Sequence, residues 1–289
     1  MSIRPVRKAI FPVAGLGTRL LPATKATPKE MLTIVDRPLI QYAVDEAREA
    51  GIEQLIFVTG RGKSSLVDYF DVGFELEATL EQAGKSLDSL GPSRAAYGEI
   101  VSVRQQRPLG LGHAVWCARH IVGDEPFAVL LPDDLMVGQP GALGQMIEAY
   151  NRFGGNIVCA AEVPADKTAS YGIITPGASH GNATEVVGLV EKPLPADAPS
   201  RLGVVGRYIL QPQVMDILEH QERGAGNEVQ LTDAMAKTIG LIPFHGFRFG
   251  GRRFDCGSKI GYLEANLAFA FEREDLGGDV RQMLAQFNV

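Results

Sequence analysis

Ala14-Gly15-Leu16-Gly17-Thr18-Arg19-Leu20-Leu21-Pro22-Ala23-Thr24-Lys25-Ala26-Thr27-Pro28-Lys29-Glu30-Met31 is the stretch on which the reading of this chain turns. It follows an apolar run, Ala9-Ile10-Phe11-Pro12-Val13, that reads as a buried strand with Arg7 and Lys8 at its mouth. Within it are two glycines, three threonines, one arginine and two lysines, and no acid before Glu30. Backbone freedom, free N–H groups and fixed positive charge in one loop suit a polyphosphate. Two familiar phosphate loops do not fit. A Walker loop wants Lys and then Ser or Thr directly after its last glycine, whereas Gly17 is followed by Thr18-Arg19. A dinucleotide fingerprint wants a third glycine at the position of Leu20. Taken alone, the stretch leaves open a plain glycine-rich strand-to-helix turn with scattered surface cations.

At 289 residues the chain can bury a sizeable core, as one large α/β domain or one domain with a small appendage. With 45% hydrophobic and 21% charged residues it has the composition of a soluble globular protein. The net charge of −6 argues against a general nucleic-acid binder, which needs a basic face, so the charge near Arg19 and Lys29 is local and suited to a small anion. Met1-Ser2-Ile3-Arg4-Pro5 lacks the apolar core of a signal peptide, and no apolar run approaches membrane-spanning length; a cytoplasmic protein is expected. Cys117, Cys159 and Cys256 are odd in number and lack CxxC spacing, which predicts reduced thiols, Cys117 and Cys159 among them as small buried hydrophobes.

Outward from the loop, Leu39, Ile40, Ala43, Val44 and Ala47 share one face of a helix opened by Arg37-Pro38 and closed by Gly51, and residues 54–60 form the next buried strand. Strand, loop, helix, strand is a βαβ unit, which predicts a largely parallel sheet with its ligand at the carboxyl ends of the strands. Helices are expected over 63–70 and 75–87, an excursion between two strands that covers the sheet or meets another subunit. A strand at 100–104 leads to Gln105-Gln106-Arg107-Pro108-Leu109-Gly110-Leu111-Gly112-His113-Ala114, a second glycine-bearing strand-to-helix junction, followed by a helix over 114–121. The strand over 126–131 ends in Pro132-Asp133-Asp134, carboxylates on the same edge as the phosphate loop and hence candidate metal ligands, although an acid after a strand is often only a turn or cap residue. The second half reads as mixed: strands over 157–162, 171–175, 185–190, 204–210 and 242–249, and helices over 212–221, 229–239 and 259–272. The last of these carries a stripe of Ile260, Leu263, Leu267 and Phe271. A terminal helix over 279–287 is expected to pack or to meet another subunit, and Pro193–Pro199 is the one stretch resembling a flexible loop.

Four clusters recur at strand ends: the opening loop, Asp133, Glu191-Lys192-Pro193 and Asp255. None holds an activated nucleophile, and the five histidines form no zinc spacing, His113 being the least easily dismissed. A chain without its own nucleophile must align a substrate nucleophile on phosphorus and neutralise the developing charge. Arg19 offers a rigid fork, Lys29 and Lys192 point charges, and Asp133 and Asp255 a pair able to hold Mg²⁺ with waters and phosphate oxygens. Each has a bland alternative: Glu191-Lys192 an exposed ion pair, Gly172 and Gly206 strand bulges, Asp255 a helix cap.

These residues carry a resemblance. Gly15-Leu16-Gly17-Thr18-Arg19 with Thr27-Pro28-Lys29-Glu30-Met31 resembles the signature of sugar-phosphate nucleotidylyltransferases. The similarity runs in order through Phe70-Asp71, Glu75-Leu76-Glu77, Gly110-Leu111-Gly112-His113-Ala114, Leu131-Pro132-Asp133 and Tyr171-Gly172. It continues in Val190-Glu191-Lys192-Pro193, Val205-Gly206-Arg207-Tyr208, Glu228-Val229-Gln230-Leu231-Thr232-Asp233-Ala234 and Asp255-Cys256-Gly257. The Pro28–Met31, Glu75–Glu77 and Gly110–Ala114 variants are similar to the bacterial UTP–glucose-1-phosphate uridylyltransferase branch.

The resemblance implies a Rossmann-like α/β fold with a mostly parallel, mixed central sheet flanked by helices, in a nucleotidyltransferase (GT-A-like) architecture. It implies one domain over 1–289, with a nucleotide part to about 135, a sugar part to about 257 and helices beyond. The reaction implied is Mg²⁺-dependent: UTP and α-D-glucose 1-phosphate give UDP-glucose and pyrophosphate without a covalent intermediate. Ala14, Gly15, Leu16, Gly17, Thr18 and Arg19 would meet the nucleotide phosphates, Gln105 and Gly110 the uracil. Lys29 would reach the reacting phosphate and Lys192 the sugar phosphate. Gly172, Glu191, Val204 and Gly206 would line the sugar, and Asp133, rather than Asp134, would hold the metal with Asp255. The resemblance further implies a homo-oligomer, a tetramer by preference. Alternatives are a dTTP-using glucose-1-phosphate thymidylyltransferase and a non-catalytic sugar-nucleotide-binding regulator on the same fold; a nicotinamide-dependent oxidoreductase is disfavoured by the missing third glycine.

Overall fold

The computed structural model describes residues 3–287, with the side chain of Ala225 left out; the first two residues of the N-terminal reading lie outside it. Among the described residues, nine strands form the central sheet. They are β1 (Lys8–Pro12), β2 (Gln54–Thr59), β3 (Ile100–Arg104), β4 (Phe127–Leu130), β5 (Asn156–Glu162), β6 (Gly172–His180), β7 (Ala183–Glu191), β8 (Leu202–Leu210) and β9 (Phe244–Phe247). Their order is β3-β2-β1-β4-β8-β5-β9-β7-β6. β1 lies between two parallel neighbours, with Ile10 opposite both Ile56 and Val129. That placement explains its unbroken apolar run, since a strand covered on both faces has no polar face to show. β7 and β8 run against the other strands, so the sheet is mixed while its amino-terminal half, β3-β2-β1-β4, is wholly parallel.

Successive residues of β1 and β2 point to opposite faces, and two cores result. Phe11 and Phe57 face one core with Ile40, Val44, Met146 and Tyr150. Ile10, Ile56 and Val58 face the other with Val115, Leu218, Leu231 and Met235. The helices supplying these side chains lie in chain order: α1 (Leu39–Glu49), α2 (Ser64–Asp68), α3 (Phe74–Gln82), α4 (Leu111–Cys117), α5 (Arg119–Val122), α6 (Ala142–Phe153), α7 (Gln213–Glu219), α8 (Leu231–Ala236), α9 (Lys259–Glu272) and α10 (Gly277–Ala285). α1 and α6 cover one face, α4, α7 and α8 the other.

Several expectations are corrected. α6 was not read from the sequence, although Leu143, Met146, Ala149 and Tyr150 bury one face of it. The helix expected over 75–87 ends at Gln82, and α3 buries none of its residues, so it does not cover the sheet. The helix expected over 114–121 starts earlier, at Leu111, and breaks at Ala118 into α4 and α5. Residues Arg37 and Pro38 form a short strand with Thr33–Ile34 before α1 begins at Leu39. The stripe on α9 is turned outward at Ile260 and Leu263, while small Gly261 and Ala265 form the buried side. Cys159 and Cys256 are buried and Cys117 only half-buried; all three are free thiols.

One further unit matters for the site. Asp134–Val137 pairs antiparallel with Arg252–Asp255, setting Asp255 opposite Asp134. This ribbon packs Leu135 and Phe254 with Ala265 of α9 in a third, smaller core. Among the described residues, no helix is long and apolar enough to cross a membrane.

Candidate active site

A cleft of about 520 Å³ opens at the carboxyl ends of the parallel strands. One wall is the loop after β1, Ala14 to Leu20, which turns through a single 3-10 turn at Thr18–Leu20. Thr24 closes the loop on itself by donating from Oγ1 to the Gly17 carbonyl at 2.7 Å. A second 3-10 turn, Lys29–Met31, then returns the chain beneath the loop. The opposite wall is the junction after β3: Gln105, Pro108, Gly110, Leu111 and Ala114. Here Gly110 has φ +103°, and a β-carbon on it would lie 2.7 Å from Cβ of Glu228 and 2.8 Å from the Val229 carbonyl, so only glycine fits. Val229 laces this wall in place, its N–H donating to Leu109 at 2.7 Å and its carbonyl accepting from Gly112 at 2.9 Å.

On the floor, Lys29 Nζ lies 2.6 Å from Asp133 Oδ2, each side chain 22% exposed. Burial opposes the charge on Lys29, but the Asp133 and Glu30 carboxylates together outweigh it and raise the lysine above its ordinary value. Burial likewise opposes ionisation of Asp133, yet Lys29 draws that carboxyl below its ordinary range. The pair is therefore an ammonium and a carboxylate at neutral pH. Behind it, fully buried Glu30 accepts from Lys63 Nζ at 2.8 Å.

Asp133 and Asp134 part company. Asp134 accepts from Arg253 Nε at 2.6 Å, from Arg253 Nη2 at 3.0 Å and from the Gly206 N–H at 2.9 Å, which commits its carboxylate within the protein. Arg207 is 1% exposed and pins the same turn: its Nη1 donates to the carbonyls of Leu131, Asp134 and Gly206, while Nε and Nη2 grip Glu46 of α1. Asp133 is left facing the cleft. Asp255 comes to it through the ribbon, and the two carboxylates flank Gly257: a β-carbon there would lie 2.8 Å from Asp133 Oδ2 and 3.1 Å from Asp255 Oδ1. Asp255 is not the cap of α9; Ser258 Oγ accepts from the Gly261 N–H in that role. Two converging carboxylates are hard oxygen donors suited to a divalent cation that keeps waters and phosphate oxygens as its other ligands.

The sugar candidates form a neighbouring cluster rather than part of the same cleft lining. Gly172 lies opposite Glu191 in register, with Thr232 of α8 against it. Lys192 has φ +48°, its N–H donates to the Tyr171 carbonyl, and its Nζ lies 3.1 Å from Glu191 Oε1. Arg253 links the clusters, holding Asp134 while its guanidinium lies 5.5 Å from the Tyr171 ring. Val204 turns its side chain into the core, leaving only main chain to offer. Gly206 has its N–H on Asp134 and its carbonyl on Leu131 and Arg207, a structural reason for its place that the sequence reading lacked.

The structure thus gathers Ala14, Gly15, Leu16, Gly17, Thr18, Arg19, Lys29, Gln105, Gly110 and Asp133 in one lining. Glu228 and Gly257 join them unassigned by the sequence reading, and Glu46 and Arg207 act behind them. Arg207 stood in a quoted motif, Val205 to Tyr208; Glu46 had no local signal. The lining thus offers the cationic side chains of Arg19 and Lys29 and the carboxylate of Asp133, with Asp255 adjoining across Gly257.

A family model described as nucleotidyl transferase matches residues 8–270. The chain is 57% identical over 260 residues to a UTP–glucose-1-phosphate uridylyltransferase of Komagataeibacter xylinus, covering 89% of this chain and 92% of that one. It is similar to a solved UDP-glucose pyrophosphorylase complexed with UDP-glucose, at 42% identity and TM-score 0.83, covering 93% of this chain and 100% of the other. It also resembles a UTP-bound UGPase from Acinetobacter baumannii, at 45% identity and TM-score 0.87, covering 97% and 99%.

Proposed function

The chain belongs to the nucleotidyl transferase family, and on that premise we propose that it is a UTP–glucose-1-phosphate uridylyltransferase. The observation that carries the reading is the Lys29–Asp133 pair, held between the glycine-rich loop after β1 and the Gln105–Ala114 wall, with Asp255 alongside. The names of the similar proteins support UTP over dTTP. dTTP differs from UTP by one pyrimidine methyl, worth only about 1–3 kcal/mol as a contact, and by one ribose hydroxyl, so the ratio of the two rates measures how closely the site reads the nucleotide.

In this reading the Gly15–Thr18 main chain and Arg19 hold the nucleotide phosphates, both the one that stays and those that leave, and Gln105 and Gly110 meet the uracil edge. Glu191 accepts from glucose hydroxyls beside Gly172, Val204 and Gly206, and Lys192 holds the sugar phosphate. A phosphate oxygen of glucose 1-phosphate attacks the α-phosphorus in line; the bond from that phosphorus to the α–β bridging oxygen breaks, and pyrophosphate leaves with the electron pair. Lys29, kept protonated by Asp133, offsets negative charge growing on the α-phosphate. Asp133 and Asp255 would hold Mg²⁺, which when bound neutralises phosphate oxygens and orients them. We read the chain as one domain, with a nucleotide part to about residue 135 and a sugar part to about 257, working as a cytoplasmic homo-oligomer.

The test is pyrophosphate release across a panel of sugar 1-phosphates with UTP or dTTP, with and without Mg²⁺. Turnover is expected with UTP, glucose 1-phosphate and Mg²⁺ together. Lys29→Ala and Asp133→Ala are each expected to keep the native circular dichroism and lose about 10²–10³ in kcat. A strong dTTP preference, or full activity in either variant, would sink the assignment.

A further inference from the structure

A second recess, of about 280 Å³, shares a wall with the substrate cleft. The two take different residues of one junction: Gln105, Pro108 and Gly110 line the first, Gln106, Arg107 and Leu109 the second. α4 divides in the same way, with Leu111 and Ala114 on the cleft side and His113 and Trp116 on the recess side.

The recess is positive and uncompensated. Arg104, Arg107 and Arg119 line it, and its lining contains no Asp or Glu. Among the described residues none of the three forms an ion pair: Arg104 donates to the Gly60 carbonyl, and Arg119 donates to the Trp116 carbonyl with its guanidinium 3.6 Å from the indole ring. In a chain of net charge −6, Arg104 and Arg107 are exposed and Arg119 half-buried, and together they leave positive charge at one concavity with no acid in its lining. Their planar forks match phosphate oxygens.

The recess is also wired to the cleft. Gln105 Nε2 lies 3.1 Å from His113 Nδ1 and donates to the Gly110 carbonyl at 3.0 Å. An amide nitrogen only donates, so His113 Nδ1 accepts and the imidazole is neutral. Burial, with Arg119 and Arg223 nearby, holds its pKa below the ordinary value.

We propose that this recess is a regulatory site for a small phosphorylated anion, gripped by Arg104, Arg107 and Arg119 and coupled through His113 to Gln105. An anion there favours the imidazolium form, whose Nδ1 carries a proton and no longer accepts from Gln105. The amide loses one of its two anchors and its hold on the nucleotide base loosens; this coupling, unlike the site itself, rests on the role proposed above for Gln105.

Trp116 is the single tryptophan of the chain, so intrinsic fluorescence reports on the recess directly. Titration of the substrate-free protein with inorganic phosphate at constant ionic strength is expected to give a saturable change that Arg104→Gln/Arg107→Gln abolishes. A parallel titration with adenosine 5′-monophosphate separates a site for free phosphate from one for a larger phosphate ester. In turnover, saturating phosphate is expected to raise the UTP KM several-fold at unchanged kcat in the native chain and not in the double variant. No saturable change, or an equal one in the variant, overturns the site. A KM rise that persists in the variant places phosphate in the catalytic cleft and overturns the coupling. Altered sedimentation of the variant with no response to phosphate makes the arginines a subunit contact and also overturns the proposal. The fluorescence arm uses no nucleotide triphosphate, so its outcome is independent of whether UTP is the substrate.

Discussion

Adjacent acids can have opposite fates, and Asp133 and Asp134 do. The carboxylate of Asp134 is filled by Arg253 and the Gly206 N–H, while that of Asp133 faces Lys29 and Gly257. Local sequence cannot separate two consecutive aspartates; the choice of Asp133 came from resemblance, and the hydrogen bonds supply its physical reason. Gly257 is the residue-scale feature the sequence reading quoted without a role. Its missing side chain leaves the gap between the two carboxylates, so Gly257→Ala is expected to raise the Mg²⁺ needed for half-maximal turnover by about 10–100-fold, the range for residues that orient metal ligands. Steady-state rates against Mg²⁺, with circular dichroism as the control for folding, check this.

Between elements, two arginine–carboxylate pairs anchor α1, one to β8 of the sheet and one to the turn before β3. Arg207 of β8 and Glu46 of α1 are both buried, and Arg207 also holds the turn that carries Asp133. Glu46→Ala leaves that guanidinium without its counter-charge, and urea denaturation is expected to show a loss of about 3–5 kcal/mol. Glu46→Leu/Arg207→Met is expected to lose less, since no charge is then stranded. Arg48 and Glu99 form the second pair, at 2.7 and 3.0 Å. Hydrogen bonding from Arg48 holds the Glu99 carboxyl below its ordinary value of 4.5, against the opposing effect of burial. A depressed carboxyl stabilises the fold above its unfolded pKa, and the contribution fades as pH falls through the folded value. The melting-temperature advantage of the native chain over Glu99→Gln is therefore expected to be constant from pH 7 to about 5 and to shrink below about 4.5.

These pairs join residues far apart in sequence, and no periodicity announces them. The strands, by contrast, were legible: β1, β2 and β4 are unbroken apolar runs because they are covered on both faces. The ribbon of Asp134–Val137 with Arg252–Asp255 was not, because four residues on each side make too short a pattern to separate from loop.

For the molecule as a whole, the apolar faces left uncovered are informative. Phe74 and Leu76 of α3 are 74% and 53% exposed, and Ile260 and Leu263 of α9 are 73% and 54% exposed. In the homo-oligomer proposed above, these uncovered apolar faces are the candidate subunit contacts. Phe74→Asp is expected to sediment as a smaller species than the native chain; an unchanged sedimentation coefficient would remove α3 from the subunit contacts.

The sequence by itself determined the parallel half of the sheet and the glycine-rich, cation-bearing loop at its carboxyl edge, since these follow from hydrophobic period, glycine placement and charge within short windows. Only the tertiary structure decided which aspartate faces the cleft, that Gly257 separates the two carboxylates, and that Arg207 and Glu46 hold their turn. Those outcomes depend on pairings across 72 to 161 residues, where burial and hydrogen-bond satisfaction select one partner among chemically equal candidates.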